Sequence, residues 1–349
     1  MQSSEAFAHD RSFHPLTVAR VVEETADAKS IVFAIPPPLR RAFHYEAGQF
    51  LTLEVEHEGA RLRRCYSLAS SPACEDEHKV TVKRVAGGRI SNWVNDRVRA
   101  GDVISVLPPE GRFVLGRGDA PLLLFAGGSG ITPVISLLKT ALATTKRTAR
   151  LVYANRDARS VIFAQELEAL ATRYPGRFEV VHRFDDLHGF VDAATVRSVL
   201  LQRDVDAYLC GPGPFMDTVE RALLEAGLDR ARVRVERFVS QSDTPKTFTT
   251  PASGTSPSNI AVTIKGKLTL VPYQPGQSLL RAALDAGLDA PYSCEEGFCG
   301  CCTAQLLAGK VEMAADDALT AEDKKRGLIL TCQARPCTGE CAVEYLDGP

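Results

Sequence analysis

Four cysteines in this chain are spaced to hold iron. Cys294, Cys299 and Cys302 read Cys-x4-Cys-x2-Cys, and Cys332 follows after 29 intervening residues. This is the plant-type ligand spacing of a [2Fe–2S] cluster, in which four thiolates enclose two irons. Gly297 and Gly300 lie inside the loop and let its backbone turn tightly around the inorganic sulfides. Cys332 closes the cage from behind the apolar run Leu328-Ile329-Leu330. Structural zinc takes two close cysteine pairs, and only one x2 pair exists here. A disulfide framework fits poorly, because 10 cysteines in 349 residues is not a small-scaffold density. Cys301 sits beside Cys302 and competes with it for iron, but the x4/x2 count selects Cys302. Cys65, Cys74, Cys210, Cys337 and Cys341 have no ligand spacing and read as reduced, mostly buried thiols of a cytoplasmic protein.

Three further stretches suit a flavin and a dinucleotide. In Arg64-Cys65-Tyr66-Ser67 an aromatic plane, a hydroxyl and a cation could serve ring, N5 and phosphate. Side chains alternate along a strand, so Arg64 and Tyr66 share one face and Ser67 points to the other. Standing alone, the same residues read as a core tyrosine and a surface arginine. They do not stand alone. Val82-Lys83-Arg84 leads through Gly87 and Gly88 to a helix start where Ser91 is the expected cap, and free N–H groups there suit a pyrophosphate.

The run Leu122 to Val134 reads as a strand, a glycine turn (Gly127, Gly128, Gly130) and a helix with Pro133 in its first turn. These glycines let phosphate approach backbone amides, although the spacing is not Gly-x-Gly-x-x-Gly. Cys210-Gly211-Pro212-Gly213 ends another apolar strand, where ligands gather in parallel sheets. Ordinary loop chemistry is the plain reading of both turns. After Tyr153-Ala154-Asn155, Arg156 could pair a 2′-phosphate and Asp157 would oppose one, which favours NADH over NADPH.

The elements that must position these residues fall into three blocks. The apolar share of 45 % is that of an ordinary soluble protein, and a net charge of −2 suggests neither nucleic acid nor an anionic membrane as partner. Residues 13–117 alternate apolar and polar in short runs broken by Pro and Gly, the pattern of an antiparallel β-barrel. Residues 118–238 interleave buried apolar strands with helical segments at 133–143, 161–172 and 214–226, a βαβ series with a parallel sheet. Residues 239–259 are rich in Ser, Thr, Pro and Gly and read as a linker. Residues 260–349 form the cysteine-bearing unit, with 8 Lys and Arg against 12 Asp and Glu, an acidic face that suits a basic redox partner or serves solubility alone. Residues 1–11 are polar and read as a disordered leader, neither a signal peptide nor a membrane span.

Taken together, the two glycine turns, the Arg-x-Tyr-Ser strand and the cysteine loop resemble the ferredoxin–NADP reductase superfamily. More narrowly, they resemble the reductases of multicomponent oxygenases with a C-terminal ferredoxin domain, in particular those serving 3-ketosteroid 9α-monooxygenases. Ala47-Gly48-Gln49-Phe50, Val80 to Arg84, Tyr153 to Phe163, Cys210 to Met216 and Leu284 to Pro291 also carry the likeness, which spans about residues 15–347. The resemblance implies an FAD-binding β-barrel, an α/β parallel-sheet NAD(P)H domain and a β-grasp ferredoxin domain. It implies that Arg64 binds flavin pyrophosphate, Tyr66 stacks on the isoalloxazine and Ser67 bonds near N5. Val82, Lys83 and Arg84 lie along the ribityl-adenosine side, with Gly88 and Ser91 at the pyrophosphate and Thr132 near the flavin. Gly127, Gly128, Gly130, Asn155 and Arg156 shape the dinucleotide site, and Cys210 and Gly211 face the nicotinamide. Glu236 and Phe238 close the second domain on the flavin's other side. It further implies a monomer that passes electrons from NADH, or NADPH, through FAD (FMN in some cousins) and the cluster to a Rieske-type terminal oxygenase. Phenylacetyl-CoA epoxidase and aromatic-ring dioxygenases are alternative clients, and a zinc-stabilised binding protein is a reading of another class.

Overall fold

The computed structural model describes residues 12–238 and 256–346, except 296, 298, 317 and 320. The expected leader and most of the expected linker lie outside the described residues. Two compact units are formed, one holding the barrel and α/β blocks and one the cysteine-bearing block.

The first block is a six-stranded antiparallel sheet. Its strands are β1 (His14–Thr25), β2 (Ala28–Ala34), β3 (Phe50–His57), β4 (Ala60–Ser67), β5 (His78–Lys83) and, after helix α1 (Arg89–Arg97), β6 (Val103–Val106). The order is β4-β3-β6-β1-β2-β5, and Leu68, next after β4, bridges Val80 of β5, which brings the two edges together as a barrel. Alternation turns Leu16, Val18, Ile31, Phe33, Leu51, Leu53, Val80 and Val82 into one core. Burying each such side chain contributes about 1.5–3 kcal/mol.

The second block is a parallel sheet built from β7 (Leu122–Gly127), α2 (Ile131–Thr144), β8 (Ala149–Asn155), α3 (Ala164–Arg173), β9 (Phe178–Phe184), α4 (Asp185–His188), α5 (Ala193–Val199), β10 (Asp206–Gly211), α6 (Gly213–Glu225) and β11 (Val233–Arg237). The order β11-β10-β7-β8-β9 reverses direction between β7 and β10. That switch point opens a crevice at the carboxyl ends of those two strands, where doubly wound sheets bind ligands. Both strands are buried throughout, as the unbroken apolar runs require.

Buried polar contacts join α2 to the barrel. Lys139, only 4 % exposed, donates to both Glu75 oxygens at 2.9 Å and to Glu166 at 2.7 Å. Burial alone would raise the Glu166 carboxyl, but Lys139 and Lys79 hold it below its ordinary value. Ser136 Oγ donates to the Ser70 carbonyl at 2.6 Å, and Ser71 and Thr140 share a hydroxyl bond at 2.7 Å.

The other unit is a mixed sheet of β12 (Asn259–Ile264), β13 (Lys267–Pro272), β14 (Thr303–Met313), β15 (Leu328–Leu330) and β16 (Ala334–Tyr345), ordered β13-β12-β16-β14-β15. Helix α7 (Leu279–Asp285) follows β13, and the short α8 (Ala321–Lys325) precedes β15. The Ser278 hydroxyl caps α7 by accepting from the Arg281 N–H. A central parallel β12–β16 pair flanked by antiparallel neighbours is the β-grasp arrangement.

Gly130 shows how tightly the switch point is packed. A Cβ there would lie 2.2 Å from the Cys210 carbonyl oxygen, and both groups are backbone or fixed to it. A Gly130→Ala variant is expected to lose about 1–3 kcal/mol of stability through overpacking. Gly213→Ala, whose Cβ would meet nothing within 4 Å, is the control and should stay within about 0.5 kcal/mol. Denaturant midpoints of the two variants check this; equal midpoints would contradict the packing argument.

Candidate functional site

The two glycine turns meet at the crevice between β7 and β10. Gly127 ends β7, and Gly128 to Gly130 form one tight helical turn before α2. Cys210 and Gly211 end β10 alongside. A Cβ on Gly211 would sit 3.0 Å from Gly127 Cα, so the two turns touch backbone to backbone. Only residues without a side chain permit that approach. The Tyr153 hydroxyl holds the Gly128 carbonyl at 3.1 Å, which fixes the turn from beneath. No side chain caps α2, so its first N–H groups face the turn, the usual setting for a phosphate. Thr132 is buried in that first turn and donates to the Ser129 carbonyl at 3.0 Å.

The barrel supplies the opposite wall. Strand β4 pairs with β3 so that Arg64 faces Leu53, Tyr66 faces Leu51 and Ser67 faces Phe50. Tyr66 packs partly against the barrel core, and burial pushes its phenol well up, so it stays neutral. Ser67 is buried, and its hydroxyl lies close enough to the Glu236 carboxyl of β11 to lower it. Burial pushes that carboxyl up, against the lowering by Ser67, to about 8. Glu236 Oε2 is buried without a hydrogen-bond partner. A mostly protonated carboxyl with one unused oxygen therefore stands where the two blocks meet. Burial, then the nearby Glu236, pushes the Cys210 thiol well up, so it is no nucleophile. Phe238 packs partly buried against the core shared by the two blocks.

One expectation needs correction. Ser91 does not cap α1. Gly88 occupies that position without a side-chain bond, because Ser91 Oγ turns back to accept from the Val85 N–H at 3.2 Å. The Val82 side chain lies wholly in the barrel core, since β5 alternation turns it inward, and its carbonyl accepts from Asn95. Arg84 pairs with Asp96 of α1 at 2.6 Å. Lys83 instead reaches toward the second block, its Nζ 3.8 Å from where a Gly128 Cβ would be. Asn155 is buried at the end of β8 and Arg156 is exposed just beyond. Asp157 is engaged locally, its carboxylate accepting from the Ser160 N–H in a capping box. The acidic group beside Arg156 is Asp27, at 3.4 Å, a residue no motif singles out.

In the other unit, the cysteine loop joins α7 to β14. Cys294, Cys302 and Cys332 are buried and Cys299 is half-buried. A hydrogen bond to Cys302, burial, and the neighbouring Cys294 and Cys299 thiols push the Cys332 thiol well up. Four crowded thiols suit a shared cationic centre. Cys301 contributes a backbone N–H to Cys299 Sγ at 3.5 Å. Thr331 binds the Cys302 carbonyl through its N–H at 3.1 Å and its hydroxyl at 2.9 Å, locking the two ligand segments together. Gln333, whose role is not legible from spacing, donates to the Glu295 carbonyl at 2.9 Å and lies 3.6 Å from Cys332 Sγ. Gly297 sits at φ +87°, where a Cβ would strike Gln333 Cγ at 2.8 Å. The donor set and the cradle fit an iron–sulfur group.

Comparison with known proteins identifies three domain families in the chain. The chain matches the oxidoreductase FAD-binding domain over residues 15–115, the oxidoreductase NAD-binding domain over 124–221 and the 2Fe-2S iron-sulfur cluster binding domain over 262–337. It is 46 % identical to the 3-ketosteroid-9-alpha-monooxygenase ferredoxin reductase component of Rhodococcus rhodochrous, over 95 % of this chain and 96 % of the relative. It is 35 % identical to one subunit of the 1,2-phenylacetyl-CoA epoxidase of Escherichia coli, over 96 % of this chain and 98 % of that subunit. Among solved structures, phthalate dioxygenase reductase is similar at a TM-score of 0.61 and 27 % identity, covering 95 % of this chain and 98 % of that one. Among the described residues no helix is long and apolar enough to cross a membrane.

Glu236 yields a pH test. Its folded pKa of about 8 lies above the ordinary glutamate value, so between the two the native state holds a proton that the unfolded state has lost. Stability therefore falls as pH rises through that window. In flavin-free protein, Glu236→Gln is expected to flatten the decline between about pH 5 and 8. Urea melts across that range check it; an unchanged slope would contradict the assignment.

Proposed function

The chain belongs to the family of 3-ketosteroid-9-alpha-monooxygenase reductase components, and on that premise we propose that it carries electrons from NADH to a Rieske-type terminal oxygenase that hydroxylates a 3-ketosteroid at C9. The protein carries FAD-binding, NAD-binding and [2Fe–2S] domains and serves a separate oxygenase component. The client is inferred from whole-length similarity to the named relatives. The observation that carries the electron path is the meeting of two glycine turns opposite Ser67 and Glu236, in a chain that also gathers four thiols.

Bound FAD would supply the conversion from the nicotinamide's two-electron chemistry to the one-electron chemistry of a [2Fe–2S] centre. The chain's own residues bind and orient. Tyr66 offers its ring to the isoalloxazine, and Arg64 and Ser91 hold the pyrophosphate. Gly127, Gly128 and Gly130 admit the dinucleotide close to backbone amides, while Cys210 and Gly211 border the nicotinamide. Hydride transfer needs donor and acceptor roughly 3–3.5 Å apart, which is why a turn without side chains serves there. Glu236 keeps a proton at neutral pH beside Ser67, whose backbone and hydroxyl would border the flavin N5. Cys294, Cys299, Cys302 and Cys332 hold the irons. The protein acts as a cytoplasmic monomer in this reading. Its similarity to the epoxidase protein favours phenylacetyl-CoA epoxidase as the second candidate client.

Two measurements test the proposal. Cys294→Ser is expected to lose the cluster's visible absorption and electron delivery to the oxygenase, while NADH-driven ferricyanide reduction stays within about twofold, since that dye takes electrons at the flavin. Full delivery by this variant would refute the relay. Reconstitution with purified 3-ketosteroid 9α-hydroxylase and, separately, with the epoxidase oxygenase is expected to give product with the steroid enzyme. Turnover with the epoxidase alone would transfer the assignment.

A further inference from the structure

We propose that Asp27 sets the coenzyme preference of this reductase by occupying the cation that a 2′-phosphate would need. The inference rests on the reading of the Gly127–Gly130 turn as the dinucleotide site.

Asp27 lies in the turn between β1 and β2, far from every motif in the sequence. It is pinned on three sides. Thr25 Oγ1 donates to Asp27 Oδ1 at 2.8 Å, the Asp27 N–H donates to Thr25 Oγ1 at 3.3 Å, and the Arg84 N–H donates to the Asp27 carbonyl at 2.8 Å. The second carboxylate oxygen is thereby aimed at the α/β block. Oδ2 stands 3.4 Å from Arg156 Nη2 and 3.8 Å from Lys83 Nζ.

The two cations differ in what they can reach. Lys83 lies over the Gly128 turn, where either coenzyme brings its pyrophosphate. Arg156 follows β8, the strand whose carboxyl end borders the adenosine ribose in doubly wound sheets. A 2′-phosphate placed there needs a free guanidinium. Here the guanidinium already faces a carboxylate, and that carboxylate would repel the phosphate. NADH brings a neutral hydroxyl to the same place and meets no such penalty. Asp157 is oriented away from this role by the Ser160 N–H, which its Oδ1 accepts at 2.9 Å, and no ion pair joins it to Arg156 among the described residues. The discrimination works by repulsion of the wrong ligand rather than by attraction of the right one. Arg156 is 69 % exposed at its side chain, so the effect is modest and screened by salt.

The test uses full-length, FAD-loaded protein with ferricyanide as acceptor, comparing wild type, Asp27→Asn, Asp27→Ser and Asp27→Asn/Arg156→Gln. The Ser variant keeps a turn-forming hydroxyl should the Asn variant fail to fold. Binding of adenosine 2′,5′-bisphosphate and of 5′-AMP by calorimetry supplies a readout independent of turnover. Either single variant is expected to raise the NADPH-to-NADH ratio of kcat/KM about three- to fivefold at low salt. It should tighten the bisphosphate by a similar factor and leave 5′-AMP unchanged. The gain should vanish in the double variant. An unchanged ratio, an equal change for both coenzymes, or a gain that survives loss of Arg156 would each overturn the assignment. A wild type that oxidises NADH while the variants show no shift removes Asp27 alone. A wild type that oxidises neither coenzyme removes the dinucleotide-site reading as well.

Discussion

Backbone contact between two turns, one after β7 and one after β10, is the constraint on which the first unit depends. Gly127 and Gly211 meet with no room for a methyl group between them, and Gly130 abuts the Cys210 carbonyl. The contact exists because the sheet order reverses between those strands, leaving their carboxyl ends uncovered by a crossover helix. Fully buried strands bring the turns to the same height, and α2, buried on nearly every side, holds its N-terminus at the crevice.

Charges then fix the barrel against that crevice. Lys139 is desolvated, which is tolerable only because two carboxylates surround it, one from each block. Such a pair adds little net stability compared with apolar packing, but it tolerates one alignment only. Glu236 and Ser67 make the corresponding link at the reactive edge, and there the carboxyl answers burial by keeping its proton. Asp27 makes a third link at the solvent-facing edge. Two buried contacts and one exposed ion pair thus lie along one seam, and the exposed pair carries the least energetic weight.

What was legible in the sequence was what is local. The first three cysteines, the glycine turns and the Arg-x-Tyr-Ser strand each sit within a dozen residues or so, and their geometry follows from strand, turn and helix rules. The three blocks and their sheet types were legible from a change of apolar period. Contacts between distant segments were not. Asp27 and Arg156 lie 129 residues apart, and neither β1–β2 turn chemistry nor the Asn155-Arg156 stretch announces the pairing. Ser91 looked like a cap because serine before a helical run usually is one. The chain instead spends that hydroxyl on Val85, since Gly88 starts the helix earlier than the pattern suggests. Val82 adjoins Lys83, and period-two alternation sends its side chain into the barrel core. The short helices α4, α5 and α8 carry too few turns to leave a periodic signal.

The central claim is that one chain houses a two-electron flavin and a one-electron iron pair in series. An anaerobic reductive titration of the purified protein, followed by visible absorption with iron, sulfide and flavin analysis, tests it most directly. The account predicts about three electrons taken up per chain, about two irons and one FAD, and bleaching of both chromophores by NADH. Two electrons per chain with no iron, or a flavin that NADH reduces while an intact cluster stays oxidised, would contradict it.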